Sequence, residues 1–379
     1  MVTGSFTAGR QIRYCKRCIM PNTRPRIVFD EEGVCNACLN ADEKLRTDWD
    51  ARKEEFLELV EPYRSKDGSW DCVVPWSGGK DSSTIAYRLK FEVGLNPLLV
   101  TFSPLMPNDV GRHNRDEMVS LGFDHFFFRP NDAVNRHLAR RFFLERGNLK
   151  VAWDAGVNAI PVKVAAKFGI PLIFYAEHGE SEYGGRVLSE ESKKVRDFAE
   201  VLEHQIGDDP SNWVDEQIQP GDLNPYTYPD PSEIESVGVK ALYFAYFFKW
   251  SMFDNYQFIN SKIDFHTTPF GRTDGTFTNF DSLDDKTDNL YYYLQFIKFG
   301  FGRAVRDACR MIQNDQLSRD EAMGLVRQYD GEFPYQHYDD VLEYLGLTTE
   351  QLVEIVDQHR NLEIWTKEES QWMLRHPPE

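Results

Sequence analysis

Short apolar runs alternate with longer stretches of helical periodicity through the middle of the chain. The runs have the length of buried strands, and the stretches between them repeat apolar residues at helical spacing. This alternation predicts an α/β fold of the Rossmann type, with a parallel sheet covered by helices on both faces. The predicted strands are 70–75, 97–102, 124–128 and 170–175, and the predicted helices are 82–91, 109–121, 132–145 and 152–168.

The pattern changes on either side of this region. A charged helix is expected over 42–63, and helical periodicity returns from 288 to the end. We therefore expect three domains. They are a zinc ribbon plus helix over 1–66, a nucleotide-binding domain over 67–285, and a helical domain over 286–379, with segments near 290–313, 318–329, 337–345 and 348–359.

Three stretches do not fit the alternation. Residues 200–235 are acidic and rich in proline, which predicts a lid, a partner-facing loop or a solvated insertion. The aromatic stretch 243–250 predicts helix core or a homodimer interface. The polar segment 266–286 is long and contains glycine, and loops of that kind often complete active sites.

Composition narrows the classes of function. The 379 residues carry a net charge of −18, which argues against a broad nucleic-acid-binding surface. The longest apolar run, 241–248, is too short to span a bilayer, and no signal peptide is visible. We expect a cytoplasmic protein without membrane insertion.

Four of the six cysteines form two Cys-x-x-Cys pairs. Such knuckles predict one tetrahedral structural zinc ion, because no ligand position stays open and disulfides are disfavoured in a reducing cytoplasm. Cys72 and Cys309 are expected to be buried and inert. The proposed ligands are Cys15, Cys18, Cys35 and Cys38. Basic residues around them, from Arg10 to Arg26, predict either contact with an acidic partner, a nucleotide-linked substrate or RNA, or ordinary solvated charge.

The stretch from Ser77 to Ser83 carries the clearest chemistry. Two glycines follow a predicted strand and precede a predicted helix, so backbone amides and the helix dipole can meet an anion. Lys80 adds a positive charge, whereas Asp81 either holds Mg²⁺ or stabilises the helix N-terminus. A Walker A motif does not fit the spacing. The predicted phosphate-binding residues are Ser77, Gly78, Gly79, Lys80, Asp81, Ser82 and Ser83.

Ligands of parallel sheets lie beyond the carboxyl ends of the strands. That rule adds Thr101 and Phe102 after one strand and residues 176–185 after another. Within this second loop Glu180 is favoured as a catalytic group over His178, and Gly179 is expected near the nucleotide. The expected substrate contacts are Glu177, His178, Tyr183, Arg272 and Lys286; for Arg272 and Lys286, surface ion pairing is an equal alternative.

The segment Ser77-Gly-Gly-Lys-Asp-Ser82 resembles the PP-loop of the ATP pyrophosphatases, which have an adenine nucleotide α hydrolase-like fold. A wider resemblance is to the N-acetyl sugar amidotransferases. It is carried by Tyr14-Cys-x-x-Cys-Ile-Met-Pro-Asn-Thr-Arg-Pro25, Phe29-Asp-x-x-Gly-Val-Cys-Asn-Ala-Cys38, Trp76-Ser-Gly-Gly-Lys-Asp-Ser-Ser83 and Glu177-His-Gly-Glu180.

The resemblance implies an AMP-forming ligase that uses ATP and Mg²⁺. The acetamido oxygen of a bacterial sugar, expected to be a UDP-linked diacetamido sugar, would attack the α-phosphate and release pyrophosphate. Ammonia would then displace AMP and leave an acetamidino group. Such sugars enter the lipopolysaccharide O-antigen or surface nonulosonic acids.

The ammonia is expected to come from another protein. An N-terminal-nucleophile glutaminase needs a cysteine directly after the initiator methionine, where this chain has Val2, and neither Cys72 nor Cys309 lies in a nucleophile-elbow sequence. The resemblance implies a glutaminase subunit, bridged by a cyclase-like subunit. The alternatives are a tRNA-modifying enzyme of the thiolation type and a nucleotide-binding scaffold without catalytic activity.

Overall fold

Five parallel strands form the central sheet. The computed structural model describes residues 11–198 and 206–378, so Arg10 and residues 200–205 of the acidic stretch lie outside the described residues. The strands are β1 (Cys72–Pro75), β2 (Pro97–Phe102), β3 (Asp124–Phe128), β4 (Leu172–Tyr175) and β5 (Lys240–Tyr243), in the order β3-β2-β1-β4-β5. Every neighbouring pair is parallel, which confirms the predicted mixed α/β architecture.

Helices cover both faces of the sheet, because successive strand residues point to opposite sides. Val74 of β1 packs with α2 and α3, whereas Val73 packs with α5 and α6. The first eight helices are α1 (Asn36–Arg46), α2 (Trp49–Val60), α3 (Lys80–Tyr87), α4 (Asp109–Ser120), α5 (Asp132–Arg146), α6 (Val151–Phe168), α7 (Gly179–Tyr183) and α8 (Glu190–Lys194). The helix expected over 42–63 is thus two helices, since the Asp48 side chain accepts a hydrogen bond from Ala51 N and starts a new one.

The aromatic stretch after β4 belongs to the core, but it is not a helix. Its first residues form β5, and a 3-10 turn follows at Phe244–Tyr246. The rings of Phe247 and Phe248 lie 5.2 Å from that of Phe56 in α2. The stretch is therefore buried within one chain and supplies core packing rather than a surface for a homodimer.

The described part of the acidic stretch is also packed. It contains 3-10 turns at Pro210–Trp213 and Pro220–Tyr226 and a helix at Pro231–Val237. Trp213 and Tyr226 are each only 1% exposed and join the core beside α6. These aromatic side chains anchor the segment to the core, while many of its polar residues stay exposed.

The C-terminal region is helical except at its end. Helices run over Asp288–Phe299, Arg303–Gln313, Arg319–Tyr329, Tyr338–Leu345 and Thr349–Gln358, followed by the antiparallel pair β6 (Trp365–Glu368) and β7 (Gln371–Leu374). The helix expected over 290–313 is broken at Gly300, which has a φ of 71°. A Cβ there would come within 2.7 Å of Ile364, so the break and the terminal strand pair fit together.

The N-terminal segment packs against this C-terminal region. The four paired cysteines share a core with the helix Arg303–Gln313, and Thr23 donates a 2.6 Å hydrogen bond to the carbonyl of Phe299. Within the described ranges, no helix has the length and apolar character needed to cross a membrane.

Candidate functional site

The glycine loop leaves β1 at its carboxyl end and enters α3. Gly78 has a φ of 89°, and a Cβ at this position would stand 2.6 Å from the side chain of Arg115. Ser77 Oγ accepts a 3.1 Å hydrogen bond from Gly79 N, which holds the turn. Only glycine therefore suits position 78, and the loop is fixed in a tight shape.

The start of α3 presents amides to the same side. The Ser83 amide bonds to the Gly79 carbonyl at 3.0 Å, so the amides of residues 80–82 precede the first intrahelical bond. Ser83 itself is fully buried, and its hydroxyl accepts a hydrogen bond from Trp76 Nε1 at 2.9 Å. The structure thus places Ser77 and Ser82 at the opening and turns Ser83 into the core.

This loop opens into a cleft of about 420 Å³, which we call the Lys80 cleft. Three segments surround it: the loop with α3, the start of α6 with the end of β4, and residues 280–292. The cleft is lined by Ser77, Gly79, Lys80, Asp81, Ser82, Lys150, Trp153, Asp154, Ala176, Glu177, Phe280, Asp281, Ser282, Leu283, Asp284, Asp288, Tyr291 and Tyr292.

Lys80 is held between two carboxylates. Its Nζ lies 2.8 Å from Asp81 and 2.5 Å from Asp281, and the side chain is only 2% exposed. Asp281 also pairs with Arg306 at 2.6 Å. Burial would lower the pKa of Lys80, but Asp281 and Asp81 raise it above the usual value. The ammonium group is therefore fixed at the mouth of the glycine loop in its charged form.

Other carboxyl groups of the cleft retain protons more readily than usual. Burial, reinforced by Asp288, raises the pKa of Asp154 to about 7, and burial with Asp288 and Asp285 raises the pKa of Asp284 to about 7. Burial and the charge of Asp81 also raise the pKa of Glu177. These three carboxyl groups are therefore protonated more readily than exposed carboxyl groups.

The loop after β4 divides between two environments. Glu177 lines the Lys80 cleft and accepts a hydrogen bond from Tyr183, whose ring packs under Arg310 at 3.8 Å. Glu180 instead pairs with Arg26 of the N-terminal segment, and Arg26 Nε lies 2.8 Å from its carboxylate. The structure thus places Glu177 in the cleft and Glu180 outside the residues that line it.

His178 and Gly179 lie next to these carboxylates without entering the cleft. His178 is 5% exposed, and burial lowers its pKa to about 4, so the imidazole is neutral near pH 7. Its Nδ1 lies 3.2 Å from Ser181 Oγ, which is a local structural contact. Gly179 begins α7.

The remaining predicted contacts lie elsewhere. Thr101 is buried and donates a hydrogen bond to the Trp76 carbonyl, and Phe102 is buried against α6. Arg272 pairs with Glu332 at 2.6 Å, and Lys286 pairs with Asp340 at 2.7 Å. None of these four predicted residues lines the Lys80 cleft. Arg272 and Lys286 form ion pairs with acids of the same chain, as the alternative prediction for them stated.

Sequence reasoning missed most of the acidic lining of the cleft. Asp281, Asp284 and Asp288 follow one another at the end of the polar segment 266–286 and in the helix after it. The segment was expected to complete a site, and it does line the cleft, but through its acids rather than through Arg272 or Lys286. The only sequence feature that could have indicated these residues is the high density of acids, and exposed surface loops show the same feature.

The four paired cysteines gather into one buried cluster. Their sulfur atoms all lie within 4.8 Å of one another, with Cys18 to Cys35 at 3.7 Å and Cys15 to Cys38 at 4.0 Å. Thiolates about 2.3 Å from a tetrahedral zinc ion stand roughly 3.8 Å apart, so the spacing fits zinc. None of the four is in a disulfide.

Three basic residues of the N-terminal segment make polar contacts within the chain. Arg17 pairs with Asp42 at 2.6 Å, and Arg24 donates to the Gly184 carbonyl at 2.8 Å. The contacts of Arg24 with Gly184 and of Arg26 with Glu180 attach the cysteine-bearing segment to the loop after β4. Arg13 and Lys16 are exposed, so solvated charge describes these two residues.

Comparisons with known proteins relate the C-terminal part to lipopolysaccharide biosynthesis. Residues 274–376 match the family described as LPS biosynthesis protein WbpG-like, C-terminal domain. The matched segment includes residues 280–292, which form one side of the Lys80 cleft. A further similarity, 29% identity over 87 residues, is to Uncharacterized protein MJ1599 of Methanocaldococcus jannaschii; it covers 23% of this chain and 31% of that protein.

Proposed function

We propose that this protein is an ATP-dependent, AMP-forming sugar amidotransferase of lipopolysaccharide biosynthesis, and that its substrate is an acetamido sugar linked to UDP. The observation that carries the proposal is the glycine loop with its fixed lysine at the carboxyl end of a parallel sheet. The relation of residues 274–376 to a family of lipopolysaccharide biosynthesis proteins favours a sugar acceptor.

The triphosphate of ATP would lie against the loop. Amides at the start of α3, the hydroxyls of Ser77 and Ser82, and the Lys80 ammonium all face the cleft. Lys80 is positioned by Asp81 and Asp281, so it needs little reorganisation to stabilise charge on departing pyrophosphate.

The carboxylates of the cleft fit a Mg²⁺ site. Six carboxyl groups line the cleft with only two lysines, and Asp81, Glu177 and Asp284 belong to this lining. Carboxylate oxygens are preferred Mg²⁺ ligands, and Mg²⁺ is usually held by one or two carboxylates together with substrate phosphates, so Asp81, Glu177 and Asp284 are the candidate ligands for an ion that enters with ATP. When bound, Mg²⁺ would offset the repulsion between these acids and the triphosphate.

The reaction has two displacements. The acetamido oxygen attacks the α-phosphorus of ATP; an O–P bond forms, and pyrophosphate leaves with the electron pair of the broken P–O bond. Ammonia then attacks the imidate carbon, the C–O bond to AMP breaks, and AMP leaves. The attacking nitrogen must lose a proton, and Asp154, with a pKa of about 7, is suited to accept it.

Ammonia would come from a glutaminase subunit, with a cyclase-like subunit delivering it. Among the described residues, both cysteines outside the four-cysteine cluster are buried, Cys72 completely and Cys309 to 2% exposure. Burial also raises the pKa of Cys72 well above its usual value, so this thiol is a poor nucleophile. The same burial disfavours a thiolation enzyme that needs a redox-active cysteine in the core. The four-cysteine cluster would hold a structural zinc ion.

The test is a product assay with ATP, Mg²⁺, ammonium and a panel of UDP-linked N-acetylated sugars. We expect AMP, pyrophosphate and a sugar product whose mass reflects exchange of oxygen for NH. ATP binding with no turnover on any acceptor would instead support a scaffold. Glutamine-dependent turnover by this chain alone would refute the need for a glutaminase partner.

A further inference from the structure

A second cavity lies beside the Lys80 cleft and has a different lining. We call it the Thr273 cavity; it has a volume of about 320 Å³. Small-molecule sites occupy roughly 300–1,000 Å³, so the cavity is large enough for one compact ligand. Ser282 and Leu283 line both cavities, so the two spaces meet at this wall.

The lining of the Thr273 cavity is polar and largely neutral. Hydroxyl and amide groups come from Asn108, Thr268, Thr273, Asn289 and Gln336. The acids and the lysine around it are already paired: Asp109 with Arg112, Asp285 with Lys150 at 3.2 Å, and Lys286 with Asp340 at 2.7 Å. Such a lining suits a ligand that carries hydroxyl and amide groups rather than a triphosphate.

One hydroxyl of this lining has no partner. Thr273 is 5% exposed, and its Oγ1 makes no hydrogen bond within the described residues. A buried hydroxyl without a partner costs free energy, so native structures rarely keep one unless a water or a ligand binds to it. The Thr273 hydroxyl is therefore a position in the lining where a polar group of a ligand can be accommodated.

The amides next to Thr273 are held in a defined arrangement. Gln336 donates to the Arg272 carbonyl at 3.0 Å and accepts from Asn289 at 3.3 Å. Asn289 in turn accepts from Arg303 at 3.4 Å, and Arg303 also donates to the Asp281 carbonyl. One hydrogen-bonded chain thus joins the neutral cavity to the segment that holds Lys80.

We propose that the Thr273 cavity is the acceptor subsite, where Thr273 Oγ1 binds a hydroxyl or acetamido group of the N-acetylated sugar beside the nucleotide in the Lys80 cleft. This inference rests on the proposed function for the identity of the sugar. A sugar in this place would approach the α-phosphate across Ser282, whose φ of 50° is unusual for a residue other than glycine.

The test compares three variants by calorimetry with UDP-N-acetylglucosamine and UDP-linked diacetamido sugars, in the presence of a non-hydrolysable ATP analogue. Thr273→Val keeps the shape and removes the hydroxyl, so we expect sugar affinity to fall about tenfold. Thr273→Ser should restore most of it. Thr227→Val is the matched control, since the Thr227 hydroxyl bonds to the Leu223 carbonyl at 3.1 Å and lies on a different segment.

Nucleotide binding and stability separate a ligand contact from a structural one. Affinity for the ATP analogue should stay within about twofold of wild type in all three variants, and Thr273→Val should not lower Tm, because the hydroxyl it removes is unpaired. Unchanged sugar affinity in Thr273→Val, competition between sugar and ATP analogue, or no binding of any panel sugar to the wild type would each overturn the inference. Failure of the proposed function would appear differently, as wild-type turnover that persists without Lys80.

Discussion

The two cavities that meet at Ser282 and Leu283 differ in charge far more than in size. The Lys80 cleft holds six carboxyl side chains against two lysines, and two of those carboxyls have a pKa of about 7. The Thr273 cavity is lined mainly by hydroxyls and amides, and its charged neighbours are paired. Carboxyl groups that outnumber the lysines favour binding of a cation, whereas an unpaired hydroxyl favours a ligand that can form a hydrogen bond. The difference in charge, rather than in volume, is therefore the reason to place Mg²⁺ and ATP in the Lys80 cleft and the sugar in the Thr273 cavity.

Both cavities depend on the helix Arg303–Gln313. Arg303 and Arg306 contact Asp281 on one side of this helix. Its other side packs against the four-cysteine cluster, where Gln313 lies 3.7 Å from the sulfur of Cys38. The cluster and the two cavities thus share one support, and damage to the cluster should reach both.

The largest expected effect is the loss of ligand binding in both cavities when the four-cysteine cluster is disrupted. Replacing Cys35 and Cys38 together by serine removes half of the proposed zinc ligands and should abolish binding of nucleotide and sugar together, because the helix Arg303–Gln313 loses its partner. Metal content should fall from one zinc per chain to none, as measured by elemental analysis.

Cys309→Ala is the matched control for this change. Cys309 is buried on the same helix but is not one of the four paired cysteines. It should retain zinc and turnover. A Cys35→Ser, Cys38→Ser double variant that binds both ligands normally would contradict the shared support.

The next largest expected effect is confined to the Lys80 cleft. Lys80→Ala should reduce pyrophosphate release by about 10²–10³-fold, since a preorganised positive charge at the leaving group is lost. Affinity for the sugar should change little. Lys167→Ala, an exposed lysine paired with Glu233, provides the control with wild-type turnover. Turnover of Lys80→Ala at the wild-type rate would remove the basis of the proposed chemistry.

The sequence predicted the charged cavity in outline because its elements are local. β2 and β3 have the predicted bounds, and the glycine loop lies between a strand and a helix as expected. Apolar periodicity and glycine pairs act over a few residues, so they can be recognised without the fold. The fifth strand was missed because its residues run on into an aromatic stretch that resembles buried helix.

The neutral cavity and the positions of individual acids could not be predicted in the same way. Thr273 and Gln336 lie 63 positions apart in the sequence, and their meeting depends on how helices pack. Glu177 and Glu180 are three residues apart with the same charge, and Arg26, far away in the chain, decides which one faces the cleft. Such choices are long-range and leave no local pattern.

Variants of Glu177 and Glu180 test which of the two residues acts in the Lys80 cleft. Glu177→Gln should lower kcat by about 10²-fold and weaken Mg²⁺ dependence, because Glu177 lines the Lys80 cleft. Glu180→Gln should act on stability instead, since its half-buried ion pair with Arg26 is lost. Steady-state kinetics and thermal unfolding of both variants separate the two roles. A larger loss of kcat in Glu180→Gln would restore the catalytic role predicted for it from sequence.

The smallest expected effect concerns the pH dependence of Mg²⁺ binding. The pKa of Asp284 is about 7, so its carboxyl is largely protonated when the pH lies below that value. A protonated carboxyl is a poor Mg²⁺ ligand. The Mg²⁺ concentration at half-maximal activity should therefore fall as pH rises from about 6 to about 8, by up to about tenfold per unit below the pKa. Asp284→Asn should require more Mg²⁺ and show a shallower slope, with the remainder due to Glu177, whose pKa is also raised by burial. Asp109→Asn, at the exposed rim of the Thr273 cavity, is the control and should keep the wild-type slope. If Asp284→Asn also kept the wild-type slope, the Asp284 carboxyl would not be a Mg²⁺ ligand.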